Sequence, residues 1–194
     1  TMTATDPKRL STGNFLTKKR RDLILEVWYP AVTPKPSNND WVLATYKNVT
    51  RLQKPFELQG AAYRDAPALS EGEFPVVVLS HGFTGYRSIM FYLGEHLASH
   101  GYIVVGIDHT DSTNADIQEE SDRGPGIIST LYNRARDQQF ILDYLSDLKL
   151  SDNKNAALAA IIDTDNAAII GHSMGGFGAI NTIGGCYGLT SEQL

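Results

Sequence analysis

Apolar residues along the chain fall into short dense runs separated by longer mixed stretches, and the two spacings predict different elements. Residues 22–29 (DLILEVWY) are rich in large and β-branched apolar side chains and stop at Pro30, which has no amide hydrogen to continue a sheet ladder, so they read as a strand. Residues 75–80 (PVVVLS) and 102–108 (YIVVGID) are continuous apolar runs of the kind that parallel sheets bury on both faces. Between them, over residues 88–100, Met90 or Phe91, Leu93 or Gly94, and Leu97 recur at helical spacing, with Gly101 placed to stop the helix.

A longer helix is predicted over residues 127–148, with Ile128, Leu131, Tyr132, Ala135, Leu142, Leu145 and Leu148 as its buried stripe and Arg134, Arg136, Asp137 and Asp143 interspersed. Residues 167–171 (AAIIG) then form a short strand, and residues 174–183 a helix of small residues. Strands alternating with helices predict an α/β fold, a doubly wound and mostly parallel sheet that binds ligands at the carboxyl ends of its strands. Elsewhere the pattern is weak. Residues 33–40, with Pro34 and Pro36, read as loop, and residues 41–73, interrupted by Pro55, Pro67 and Gly72, as helix fragments and loop. There is no internal repeat, and 194 residues suit one domain.

Composition narrows the function classes. With 42% hydrophobic and 20% charged residues the chain is an ordinary folded one, and a net charge of -5 argues against a nucleic-acid partner, which would need a concentrated basic face. The one dense basic run, Lys18-Lys19-Arg20-Arg21, reads as a solvated edge before a strand. A single cysteine, Cys186, excludes an internal disulfide and any multi-cysteine zinc site. No phosphate-binding loop and no His/Cys/Asp cluster at metal spacing is present, so no cofactor is expected, and Asp108, His109 and Asp111 read as a polar strand end. No apolar run is long enough for a transmembrane segment, and the compartment stays open between cytoplasm and secretion.

The candidate chemistry sits at two strand ends. Gly171-His172-Ser173-Met174-Gly175 places a serine between glycines, straight after an apolar strand and at the opening of a helix. Three fixed positions are a weak pattern alone. The strand-to-helix setting strengthens it, because such a turn is strained and lifts the serine above the sheet. A serine hydroxyl is a poor nucleophile until a base accepts its proton, so it must stand clear and meet an imidazole. An ordinary serine in a glycine-rich turn is the plainer reading. His81-Gly82-Phe83-Thr84-Gly85 follows the strand ending at Ser80, where a second anion-stabilising donor would be placed. Ser173 is therefore the candidate nucleophile, the amides of Phe83 and Met174 the candidate oxyanion donors, and His81, Thr84, His109 and His172 candidate pocket residues.

Together, the run FPVVVLSHGFTGYRSIMFYLGEHLASHGYIVVGIDH, the turn GHSMGG and the upstream LEVWYPA resemble platelet-activating-factor acetylhydrolases and dienelactone-hydrolase-like esterases of the α/β-hydrolase fold. The central run and GHSMGG are also similar, more distantly, to bacterial cutinases, which lack the WYPA and Asp108-His109 features, so the acetylhydrolase-like branch is the closer resemblance. The resemblance spans most of residues 23–183. It implies a serine esterase with Ser173 as nucleophile and an ester substrate that is small or lipid-like. Dienelactone hydrolases proper carry cysteine at that position, so serine here favours ester hydrolysis.

In this fold the triad runs Ser, then Asp or Glu, then His along the chain. All five histidines (His81, His96, His100, His109 and His172) lie at or before the turn, and Glu192 alone is acidic after it. The chain therefore reads as the amino-terminal part of a single α/β-hydrolase domain, with acid and base expected beyond Leu194 or on a second chain. An upstream His109–Asp111 pair is the alternative base, His96 and His100 read as surface residues, and a non-catalytic scaffold is the alternative function. Thioesters and polyesters fit the same chemistry.

Overall fold

The computed structural model describes residues 1–11, 20–32, 41–150 and 155–185. The expected loop at residues 33–40, Lys18, Lys19, Cys186 and the tail with Glu192 lie outside these. The described chain builds β1 (Met2–Leu10), β2 (Arg20–Trp28), β3 (Leu43–Val49), β4 (Pro55–Tyr63) and β5 (Phe74–Ser80), then α1 (Phe91–Ser99) and β6 (Ile103–Asp108). It continues with α2 (Glu120–Leu150), α3 (Ala156–Ala159), β7 (Ile162–Gly171) and α4 (Met174–Thr182).

Among the described residues five strands form one sheet in the order β1-β2-β6-β5-β7. β5 pairs in parallel with both β6 and β7, and β2 is antiparallel to both of its neighbours, so only β2 runs against the rest. The run of β5 explains why it lies inside the sheet, between β6 and β7. Val76 and Val78 point into one core with Leu23, Leu25, Ile103, Val105, Ile107, Ile141 and Leu145, while Val77 and Leu79 point into a second with Trp28, Val104 and Ala98. Each such valine, leucine or isoleucine stabilises the fold by about 1.5–3 kcal/mol on burial. α2 and α4 cover the first face and α1 the second, as the alternation of elements predicts.

Three expectations need correction, and the first is the basic run read as a solvated edge, because Arg21 within it is buried against Asp137. Residues 41–73 hold a β-hairpin, with β3 and β4 paired antiparallel as a separate two-stranded sheet, in place of helix fragments. Its apolar signal is weak because only one face is covered: Ala44 and Tyr46 are buried while Leu43, Thr45 and Lys47 between and beside them are exposed. The hairpin is fastened to α1 by Glu95, whose carboxylate accepts the Tyr46 hydroxyl at 2.7 Å and the amides of Ala61 and Ala62 at 3.0 and 3.2 Å. The edge strand β1 was hidden by its polar composition, because its inward positions are Ala4 and Asp6, the latter binding the amides of Lys8 and Arg9.

The third correction concerns α2. It starts at Glu120, through Pro125, and its expected apolar stripe is inward only at the carboxyl end, where Leu145 and Leu148 are buried with Ile141. Ile128, Leu131 and Tyr132 face outward. The inward face of the amino-terminal half is polar: Ser129, Thr130, Asn133, Arg134, Asp137 and Gln138. This half crosses the carboxyl ends of the strands, where loops leave the sheet with backbone groups that need partners, whereas the other half lies over the apolar strand faces.

Candidate active site

β7 delivers the chain to Ser173, the residue before α4, with φ 53° and ψ -118°. A side chain with a Cβ is held there at a cost of about 1–3 kcal/mol, so the surroundings must over-determine the turn. The glycines show how. A Cβ at Gly171 would lie 2.2 Å from the Gly175 carbonyl, and a Cβ at Gly175 would lie 2.0 Å from the carbonyl oxygen of Ser80. The turn is thus pressed onto the end of β5, and the His172 amide donates to that same Ser80 oxygen at 3.0 Å. Ser173 and His172 are both exposed.

The loop after β5 passes directly over the serine. A Cβ at Gly82 would sit 3.1 Å from Ser173 Cβ and 3.2 Å from His172 Nδ1. Thr84, at φ 64°, donates its amide to Ser112 at 2.9 Å, and Gly85 closes a turn back to Gly82 at 3.0 Å. Among the described residues the amides of Phe83 and Met174 have no hydrogen-bond acceptor. The half-buried Phe83 ring lies beneath the Arg123 guanidinium, 5.9 Å from ring centroid to cation, and against Gly126 of α2.

The histidines are divided between surface and interior. His96 and His100 sit together on the exposed side of α1, as expected. His81 and His109 do not line an open pocket; both are buried beneath the loop, as is Thr84. His81 donates through Nδ1 to the Gly82 carbonyl at 2.5 Å and accepts the His109 amide at Nε2, 3.2 Å away. The alternative His109–Asp111 base is not formed. His109 has Nε2 on Ser80 Oγ at 2.8 Å and Nδ1 on Asp137 at 2.9 Å, while Asp111 pairs with Arg21 and accepts the hydroxyls of Ser11 and Ser129. Asp108 is engaged by Arg87. Among the described residues no histidine is hydrogen-bonded to Ser173.

The buried polar layer was missed in the sequence. Asp137 receives Arg21 through two bonds at 2.8 Å and Arg9 at 2.8 Å. Burial alone would raise its carboxyl, but the hydrogen bonds from Arg21 and His109 outweigh it and hold the group ionised well below the usual carboxylate range. Burial, helped by the Arg134 charge, pushes His109 down to about 3, and pushes His81 down as well, so both rings are neutral. Arg134 itself, buried and bonded to Ser112 at 2.6 Å, is lowered to about 9 by burial despite Asp137. A usable signal existed: Thr130, Asn133, Arg134, Asp137 and Gln138 recur at i, i+3, i+4, i+7 and i+8, a polar stripe at helical spacing.

A family model described as PETase, PET hydrolase-like, matches residues 59–184, which is more than half of the chain. The chain belongs to the PET hydrolase-like family. It is similar to the bis(hydroxyethyl) terephthalate hydrolase of Streptomyces coelicolor, 32% identical over 111 residues, covering 57% of this chain and 29% of that protein. It is 34% identical to cutinase est2 of Thermobifida alba over 107 residues, covering 55% and 29%. To the platelet-activating factor acetylhydrolase of Cavia porcellus it is 28% identical over 147 residues, covering 61% and 34%. The acetylhydrolase matches over a longer stretch, but the cutinases match at higher identity and the family model is PET hydrolase-like, which corrects the expectation that the acetylhydrolases are the nearer resemblance. The chain spans about a third of the length of these relatives, all named for ester hydrolysis.

Among solved structures, a ferulic acid esterase from Streptomyces cinnamoneus superposes with a TM-score of 0.61 at 22% identity, covering 94% of this chain and 53% of that one. At that identity the likeness shows the fold, which is of the α/β-hydrolase type.

Proposed function

We propose that these residues form the nucleophile-bearing part of a serine carboxylic-ester hydrolase. The observation that carries the reading is the backbone of Ser173: a non-glycine residue at φ 53° and ψ -118°, exposed at a strand end and opening a helix. Strain of that kind persists where a reactive side chain must be presented. The relatives' names, all of ester hydrolases, support the same chemistry.

In the proposed reaction Ser173 Oγ attacks the acyl carbonyl as a base removes its proton, and the carbonyl oxygen takes up negative charge. The amides of Phe83 and Met174 receive that charge, each donor worth about 2.7–4 kcal/mol of transition-state stabilisation. Collapse of the tetrahedral intermediate releases the alcohol, protonated by the same base, and leaves an acyl-serine ester. Water then attacks that ester, releasing the carboxylic acid and restoring the hydroxyl. None of the histidines within the described residues is hydrogen-bonded to Ser173, and His81 and His109 are buried in other bonds, so the acid and base are expected beyond Leu194, on this polypeptide or on a second one. Small-molecule, lipid-like, thioester and polyester substrates all present the required carbonyl.

The test uses the protein that carries these residues, a fluorophosphonate probe and a p-nitrophenyl ester. Labelling confined to Ser173, with Ser173→Ala losing both labelling and hydrolysis, is the expected result. Hydrolysis that survives Ser173→Ala, or an intact protein that neither labels nor hydrolyses, would overturn it. The latter outcome would favour a non-catalytic binding role.

A further inference from the structure

Ser80, His109 and Asp137 reproduce the composition and connectivity of a hydrolytic triad, yet they lie beneath the proposed nucleophile. Ser80 Oγ meets His109 Nε2 at 2.8 Å, and His109 Nδ1 meets Asp137 Oδ2 at 2.9 Å. Their roles follow from charge. Asp137 is an ionised acceptor held by Arg21 and Arg9, so the imidazole donates through Nδ1 and the Ser80 hydroxyl donates to Nε2. Ser80 is 0% exposed and His109 1%, so no substrate reaches this hydroxyl and the arrangement does no ester chemistry itself.

Its position gives it another task. Ser80 is the last residue of β5, immediately before His81-Gly82-Phe83, and its carbonyl accepts the His172 amide of the nucleophile turn. His109, the residue after β6, also donates its amide to His81. On α2, the residue after Asp137 is Gln138, whose Nε2 donates to the Gly175 carbonyl at 3.0 Å inside the turn. Adjacent residues of one helix therefore grip the end of β5 through His109 and the serine turn directly.

We propose that Ser80, His109 and Asp137 are positioning residues, a buried hydrogen-bond chain that fixes the Phe83 amide relative to Ser173. The inference rests on Ser173 and Phe83 having the roles proposed above. An oxyanion donor must meet an oxygen at about 2.7–3.1 Å, and losing one costs about 10²–10³ in kcat. Loosening the end of β5 costs part of that factor and leaves ground-state substrate binding nearly intact.

The experiment measures kcat, KM, fluorophosphonate labelling rate and thermal midpoint for the protein carrying these residues. The variants are Ser80→Ala, His109→Gln, the double variant, Ser173→Ala, and Ile141→Val as a core control on the same helix. Ser80→Ala and His109→Gln should each lower kcat and labelling rate about tenfold or more with KM within about twofold. The double variant should lose no more than the worse single one, since both cut one chain. Ile141→Val should lower the midpoint while leaving kcat unchanged. Parent-like kcat in a folded Ser80→Ala protein overturns the proposal, even if its midpoint falls; should His109→Gln not fold, Ser80→Ala alone decides. Ser173→Ala separates the two readings: activity surviving there defeats the mechanism itself, whereas inactivity there with normal kcat in Ser80→Ala defeats only the relay.

Discussion

Replacing Ser173 by glycine should make the protein more stable than replacing it by alanine, although both changes remove the same hydroxyl. At φ 53° and ψ -118° a Cβ is strained by about 1–3 kcal/mol, and alanine keeps that Cβ. Glycine relieves the strain but gives the unfolded chain more freedom, a loss of about 0.4–1 kcal/mol. The difference leaves the glycine variant ahead by about 1 kcal/mol, or about 2–4 °C in midpoint for a domain of 150–250 residues. Urea titration and thermal melts of the two variants measure it directly, and because neither carries the hydroxyl, turnover does not enter the comparison. A glycine variant equal to or less stable than the alanine variant would refute the claim that strain is stored at the turn. It would leave open the identity of the nucleophile, which labelling decides separately.

Gly175→Ala should reduce fluorophosphonate labelling and lower the melting midpoint by the equivalent of at least about 1–3 kcal/mol, because its Cβ would fall 2.0 Å from the Ser80 carbonyl oxygen. Unchanged labelling and midpoint would show that the turn is not pressed onto β5. Acid should destabilise the protein from the histidine range downward. His109, near 3 when folded, and His81, also lowered, stay neutral in the fold but take up protons near pH 6.5 once unfolded. Stability should therefore fall as pH drops from about 6.5 toward 3, by up to about 1.4 kcal/mol per pH unit from His109, with His81 adding to the fall and Asp137 adding to it below about pH 4. Urea midpoints at several pH values should show a shallower slope in His109→Gln, and identical slopes would count against the burial of that ring.

The sequence by itself determined the parts of this protein whose physics is local. Unbroken apolar runs such as Val76-Val77-Val78-Leu79 can be buried on both faces only inside a sheet, so β5 and β6 were legible, as was the helix between them. The serine between glycines was legible too, because only glycine at 171 and 175 lets the backbone approach that closely. What the tertiary structure decided was which face of an element is inside. The β3–β4 hairpin covers one face only, so half its positions are polar by right and its signal is diluted. In α2 the rule that apolar residues face inward failed over the amino-terminal half, because that half meets strand ends and loops, where the inward groups must be hydrogen-bond partners. Asp137, Arg21 and Ser80 are far apart in sequence and ordinary in isolation, and they acquire meaning only when β2, β5, β6 and α2 bring them to His109.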